Sequence, residues 1–359
     1  VELINVVTVI VPAMLSFVCG IAITPIVTHY LYKHRAWKKK AGKGTGYGGG
    51  ETPLFDSLHQ EKDTGTPRMG GIVIWASVIA SMAGLWIAHL LFDSRMIAQL
   101  EFLSREQTWL PLVALLVGAG VGLIDDILVV RGAGSHFAGG LPLSYRLASV
   151  AGVASFAAYW FYAKLEVSSI AIPFAAPLEL GVLFIPLFVL VAIAIYASGV
   201  IDGIDGLSGG VFGSIFAAYA IIAFAQNQND LAAFCAAVVG GILAFLWFNI
   251  PPARFYMTET GIMALTMALT VVAFTADTLG DGIGVVVLPI IGALLVATVA
   301  SDVIQVASKR LRNGAKVFKI APLHHHFEAI GWPGYKVTMR YWIVSVMFAF
   351  AGVVIALVG

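Results

Sequence analysis

Charged residues are scarce in this sequence. Only 11% of its 359 residues are Asp, Glu, Lys or Arg, 59% are hydrophobic, and mean hydropathy is +0.91. A water-soluble domain of this size needs far more surface charge, so the composition indicates a polytopic membrane protein. Cysteine is almost missing: Cys19 and Cys235 both fall inside apolar runs, which favours packing roles over a disulfide. A net charge of +1 leaves no basic excess for a nucleic-acid partner. The short alternating segments of a membrane barrel are also missing, because the apolar runs are long and unbroken.

What is present fits helices. A bilayer core of about 30 Å takes roughly 20 apolar residues per crossing. Apolar windows predict about ten spans, near residues 4–32, 70–92, 108–129, 143–163, 180–198, 208–225, 231–249, 261–276, 284–306 and 341–358. The expected fold class is therefore all-α, a single integral-membrane domain over residues 1–359. The first run continues to about Tyr32, too long for a signal-peptide core, and reads as a retained span.

Parity puts residues 33–69, 124–146, 199–207, 250–260 and 307–340 on one side, with 18 of the 21 Lys and Arg. The other side keeps Arg95, Arg105 and Lys164. The positive-inside rule makes the crowded side cytoplasmic, with both termini outside. That side also collects Asp125, Asp126, Asp202, Asp205, Glu259 and a histidine triplet, His324, His325 and His326. Carboxylates at the ends of apolar helices are costly unless paired, hydrated or bound to a cation. Their convergence predicts a shared site, with Asp302 as a further candidate.

Each motif has an ordinary reading beside the functional one. "GLIDDILVV" (122–130) is an interfacial helix end, or an acid pair suited to Mg²⁺ or a raised pKa. "IDGIDGLSGG" (201–210) is a capped turn, or two acids with Gly203 and Gly206 admitting a ligand. In "FNIPPARFYMTETGI" (248–262), Pro251-Pro252 ends a helix and Glu259 caps the next or faces the site. In "HQEKDTGTPRMGG" (59–71), Lys62 and Arg68 are membrane anchors or phosphate donors. "AGKGTGYGGG" (41–50) has no following Lys-Ser/Thr pair and reads as a flexible linker, not a P-loop.

"APLHHHFEAIGW" (321–332) is a solvated polar run or a phosphate-handling one. Three consecutive positions cannot share a helix face, so a three-histidine metal site is disfavoured. His324 is expected to act, with His325 and His326 in support. Acids suited to Mg²⁺, cationic donors and histidines together fit phosphoryl transfer, which needs charge neutralisation and alignment more than covalent work. A site at the membrane face suits one lipid and one water-soluble substrate. An ion transporter would instead carry its acids deep within spans.

The order GTPxMGG, DD, DGxDGL, PAxxF and APLHHHFE–GW resembles the bacterial phospho-N-acetylmuramoyl-pentapeptide transferases, the MraY translocase family, from about residue 59 to 341. DD and DGxDGL are shared with the wider polyprenyl-phosphate sugar-1-phosphate transferases, whose members using a UDP-N-acetylhexosamine are the alternative. The resemblance implies Mg²⁺-dependent attack of undecaprenyl phosphate on UDP-N-acetylmuramoyl-pentapeptide, releasing UMP and forming lipid I. It also implies the bacterial cytoplasmic membrane and a homodimer. By position it implies that Asp125 and Asp126 supply a nucleophile or base, with Asp125 also near metal. Asp202 and Asp205 match acids of the nucleotide pocket, Glu259 a Mg²⁺ ligand, Tyr256 an aromatic stacking on uracil, and Lys62 a phosphate-contacting lysine. His324 and its neighbours match the active-site histidines.

This chain departs from the family pattern at several positions. Glu259, within "TETGI", replaces the Asp of a Gly-Asp-x-Gly-Ser stretch. Gly199 stands where an asparagine is usual, Val129 where a lysine is, and Arg68 where a threonine is. Lys62 lies one residue further from Gly65 than usual. Arg68 or Arg131 is expected to offset the charge missing at Val129.

Overall fold

The computed structural model describes residues 3–39, 65–92, 94–103, 107–133, 140–278 and 282–359. Lys62 and the glycine-rich stretch at 41–50 lie outside them.

The described chain is helical apart from one small hairpin. In order come α1 (Leu3–Lys33), α2 (Ile72–Leu91), α3 (Arg95–Leu100), α4 (Trp109–Arg131) and α5 (Leu143–Lys164). Strands β1 (Ser169–Ile170) and β2 (Leu178–Glu179) pair antiparallel, Ser169 opposite Glu179. Then follow α6 (Phe184–Ala197), α7 (Leu207–Ala225), α8 (Asn229–Asn249), α9 (Thr258–Thr278), α10 (Leu288–Ile291), α11 (Ala293–Leu311), α12 (Leu323–Ala329) and α13 (Gly334–Val358). Among the described residues, eight helical segments are long and apolar enough to cross a membrane. Helices also occupy the other two expected windows. However, α5 is diluted by Ser and Tyr as well as Arg146 and Lys164, and α11 carries Asp302, Lys309 and Arg310, so neither counts among the eight.

Because lipid tails are as apolar as leucine, membrane helices associate mainly through close packing at small residues. Gly118 and Gly122, one turn apart on α4, press against the α9 backbone at Met263 and Glu259; a Cβ on either would collide with a carbonyl. Gly71, at the start of α2, meets Gly261 of α9 in the same way, and Gly240 of α8 meets Ala13 of α1. Helix α9 is thus almost wholly enclosed. Its Thr266, Thr270 and Thr275 hydroxyls donate to carbonyls one turn back, which satisfies them without a partner helix. On α13, Ile343, Met347, Phe350, Val354 and Leu357 recur at helical spacing and stay exposed, an apolar stripe suited to lipid.

The two ends of the bundle differ in use. At one, the Asp277 carboxylate accepts hydrogen bonds from the Ala171, Gly284 and Val285 amides and ties the hairpin to α9. At the other, the start of α9 meets the end of α4, the start of α5 and the 202–206 turn, and α12 packs on that turn.

Candidate active site

Helix α4 does not stop at its acid pair. It runs on to Arg131, with Gly132 at φ 66° closing it in the left-handed region, so Asp125 and Asp126 lie buried within its last turns. The Asp126 carboxylate takes five hydrogen bonds. Arg68 Nε and Nη2 donate to Oδ1 at 3.2 and 3.0 Å. The Thr258 hydroxyl, the Thr260 amide and the Thr260 hydroxyl donate to Oδ2 at 2.6, 2.9 and 2.6 Å. A carboxylate offers about four lone-pair sites, so Asp126 is saturated and fixed. Thr258 reaches it from φ 54°, unfavourable for a β-branched residue, and its hydroxyl also accepts the Met69 amide at 3.0 Å.

Asp125 is different. Its Oδ1 accepts the Leu141 amide at 2.6 Å and lies 3.2 Å from Arg146 Nε, while its Oδ2 is buried with no hydrogen-bond partner. Gly140, at φ 87°, lets the 140–141 turn close over this carboxylate; a Cβ there would stand 2.8 Å from Oδ1. Arg146, in the first turn of α5, spans to Glu259, with Nη1 donating to Oε1 at 2.7 Å. The Tyr196 hydroxyl approaches Glu259 Oε2 at 3.4 Å.

Among the described residues no three His, Cys, Asp or Glu side chains gather as a self-sufficient metal site. Mg²⁺ rarely needs one: it is commonly held by one or two carboxylates, substrate phosphates and water. Asp125 brings one buried, unsatisfied oxygen to such a set, while the Glu259 oxygens are turned to Arg146 and Tyr196. The open Asp125 oxygen therefore fits a phosphate-sharing Mg²⁺.

The 202–206 turn extends the cluster. Asp202 accepts the Ser208 hydroxyl at 2.7 Å and the Thr258 amide at 2.9 Å, linking it through Thr258 to Asp126. Burial pushes the Asp202 carboxyl above its ordinary range, against those two bonds. Asp205 Oδ2 accepts the Ala253 amide at 3.3 Å, and its carbonyl takes the Thr338 hydroxyl. The room left by the glycines is filled by protein. A Cβ on Gly203 would lie 2.6 Å from the Nε2 atoms of both His324 and His325, and Gly206, at φ 76°, gives its carbonyl to Trp342 Nε1.

His324 and His325 are fully buried in α12, with rings 4.2 Å apart. His326 turns away, its Nδ1 accepting the Lys319 amide and its ring edge-on to Phe318. Tyr256 is half-buried, and its backbone bridges Pro67 and Gly70 next to Arg68. The structure thus brings Arg68, Asp125, Asp126, Asp202, Asp205, Glu259, His324 and His325 to one end of the bundle.

Comparison with known proteins bears directly on this arrangement. Residues 108–277 match the model of glycosyl transferase family 4. A phospho-N-acetylmuramoyl-pentapeptide-transferase of Chloroflexus aggregans is 32% identical, covering 96% of this chain and 90% of that protein. Proteins of the same name from Geobacillus thermodenitrificans and Shouchella clausii are 35% and 34% identical, over 83% and 95% of this chain and 85% and 95% of their own length. The chain belongs to the phospho-N-acetylmuramoyl-pentapeptide-transferase family.

Within that family, the departures noted in the sequence have local explanations. Two guanidinium groups reach the acid pair, that of Arg68 on Asp126 and that of Arg146 beside Asp125, while the Arg131 carbonyl accepts Lys39 Nζ. Thr258 and Ile262 stand at the Gly and Ser of the Gly-Asp-x-Gly-Ser stretch. Gly199 lies directly under Ile262, whose Cγ2 occupies the space a Cβ at 199 would need. Arg146, Tyr196, Thr258 and Thr260 were not found from sequence. A lone arginine opening an apolar run looks like an interfacial anchor, and the only available signal was the Thr-Glu-Thr alternation around Glu259.

Proposed function

We propose that this multi-pass membrane transferase moves phospho-N-acetylmuramoyl-pentapeptide from UDP-N-acetylmuramoyl-pentapeptide to undecaprenyl phosphate, forming lipid I and releasing UMP. The observation that carries the reading is Asp125 Oδ2, the unsatisfied carboxylate oxygen in a cluster otherwise bonded in place. An oxygen of the lipid phosphate bonds to the donor's β-phosphorus; the bond from that phosphorus to the α-phosphate oxygen breaks, and UMP leaves with the electron pair. Asp125 takes the acceptor's proton in direct attack, or attacks first itself and forms an acyl phosphate that the lipid then discharges. A phospho-aspartate trapped without lipid supports the second route.

The remaining groups position and neutralise. Asp126, fixed by Arg68, Thr258 and Thr260, sets the direction of its neighbour. Arg146 holds Asp125 and Glu259 together. Asp125 and, by the family resemblance, Glu259 would hold Mg²⁺, which when bound neutralises charge on the diphosphate. In this reading His324 and His325 serve the donor's phosphates, Asp202 and Asp205 the nucleotide and Tyr256 the uracil, and the family resemblance assigns Lys62 to a phosphate. The lysine- and arginine-rich end faces the cytoplasm, in the bacterial cytoplasmic membrane, and the chain pairs as a homodimer.

The test is UMP release by purified protein with undecaprenyl phosphate, Mg²⁺, and either UDP-N-acetylmuramoyl-pentapeptide or UDP-N-acetylglucosamine. Release with only the first donor, abolished by EDTA and restored by Mg²⁺, is expected. Release with only the second moves the chain to the related N-acetylhexosamine transferases.

A further inference from the structure

We infer that Glu328 is a positioning residue that makes His325 the charged, phosphate-facing imidazole of the triplet. The inference rests on the transferase reading above. Glu328 lies one turn after His325 on α12, and its Oε2 is 2.7 Å from His325 Nδ1. A carboxylate oxygen accepts, so Nδ1 carries the proton and the Nε2 edge is the one turned to Gly203, between Asp202 and Asp205. A paired carboxylate also favours the doubly protonated ring. His325 then holds an Nε2–H on the edge bordering the 202–205 turn, and a phosphate oxygen entering beside that turn would take it as a charge-assisted donor. An acid that fixes an imidazole's proton and orientation is a general device. His326 is spent on the Lys319 amide, and His324 packs edge-on to Tyr341 at 6.5 Å.

Other titratable or charged groups are carried by the elements packed around His325. His324 is on the same helix; Asp202 and Asp205 are on the adjoining turn, their carboxylates bonded to Ser208, Thr258 and Ala253. Asp302 is on α11, whose Ser301 accepts the Leu323 amide, and Lys336, Arg340 and Tyr341 are on α13, with the two cations over the Trp332 ring. All of these remain in a Glu328→Gln variant, which removes one charge and keeps the side chain's shape.

The experiment compares the wild-type full chain in lipid nanodiscs with Glu328→Gln and Glu328→Asp. The first readout is ¹⁵N NMR of labelled histidine across pH, with the His325 signals assigned by their loss in His325→Gln. The second is the pH profile of kcat/KM for UMP release. Glu328→Gln is expected to lower the pH at which His325 loses its second proton by about one unit. The alkaline limb of kcat/KM moves down by the same interval, with a roughly tenfold or larger loss at neutral pH. Glu328→Asp should keep the limb near its wild-type position. A Glu328→Gln protein with unchanged His325 titration overturns the proposal, as does a uniform loss of rate with an unmoved limb, which would mean that Glu328 only packs α12. Should wild type not use this donor, the transferase reading fails while the NMR arm still decides whether Glu328 charges His325.

Discussion

Replacing Gly203 by alanine tests how the histidines are placed. The new Cβ would stand 2.6 Å from Nε2 of both His324 and His325. Ordinary carbon contacts begin near about 3.5 Å, so each ring must retreat by roughly 0.9 Å or the turn must shift as far. Neither ring has free space, since both are fully buried and lie 4.2 Å from each other. Overpacking of this kind costs about 1–3 kcal/mol of stability. A displacement of about 1 Å at groups that align a reacting phosphate costs about 100-fold in rate. The assay is UMP release at saturating donor, with thermal unfolding in the same detergent. We expect kcat to fall by about 100-fold while the melting transition drops only modestly. Wild-type turnover in a folded Gly203→Ala protein would refute the placement of both imidazoles at the reacting phosphates.

Three further outcomes separate the acids and the departures. Asp125→Asn should reduce turnover by about 100-fold or more with little change in unfolding temperature, because it alters the open oxygen. Asp126→Asn should destabilise by about 3–5 kcal/mol in denaturant unfolding, because it leaves the Arg68 guanidinium without its buried counter-charge; equal stability of the two variants would refute the distinction between the two acids. For Asp202, the folded carboxyl binds its proton more tightly than the unfolded one. Its contribution therefore falls as pH rises from the ordinary carboxylate range through the raised folded value, and Asp202→Asn should remove that slope from unfolding temperature measured against pH. Gly199→Asn should destabilise by about 1–3 kcal/mol through collision with Ile262. Combining it with Ile262→Ser should recover about 0.5–3 kcal/mol in a double-mutant cycle, and strict additivity would show the two positions independent.

Much of this site was legible because parity needs only the order of apolar runs. Five acids and three histidines fall in odd-numbered connections, and the structure brings them to one end without any helix boundary having to be right. Local geometry was less legible. Adjacency made Asp125 and Asp126 look equivalent, yet the 100° turn between neighbours points one at Thr258, Thr260 and Arg68 and the other at Arg146 and the 140–141 turn. The same rotation turns His326 from the site while His324 and His325 converge on Gly203. Arg146 was invisible for another reason: its partner Glu259 is 113 positions away. Only packing of α4 and α5 on α9 brings them together, and a single positive charge at a span's start is what any membrane protein shows.

Read one at a time, Val129, Gly199, Thr258, Glu259 and Ile262 suggest a site that has lost parts. In space they are exchanges between neighbours. Positive charge reaches the acid pair from elsewhere in the chain, Arg68 on Asp126 and Arg146 beside Asp125. A side chain withdrawn at Gly199 is replaced in volume by Ile262. Thr258 takes a backbone conformation that glycine adopts more easily, at about 1–3 kcal/mol. Its hydroxyl offsets that cost by bonding both Asp126 and the Met69 amide, which a glycine could not do. Glu259 reaches one methylene further than aspartate and ends on Arg146, which in turn holds Asp125. Gly199, Thr258 and Glu259 each touch the residue that makes the change tolerable, and among the described residues the buried carboxylate oxygen left unsatisfied is on Asp125.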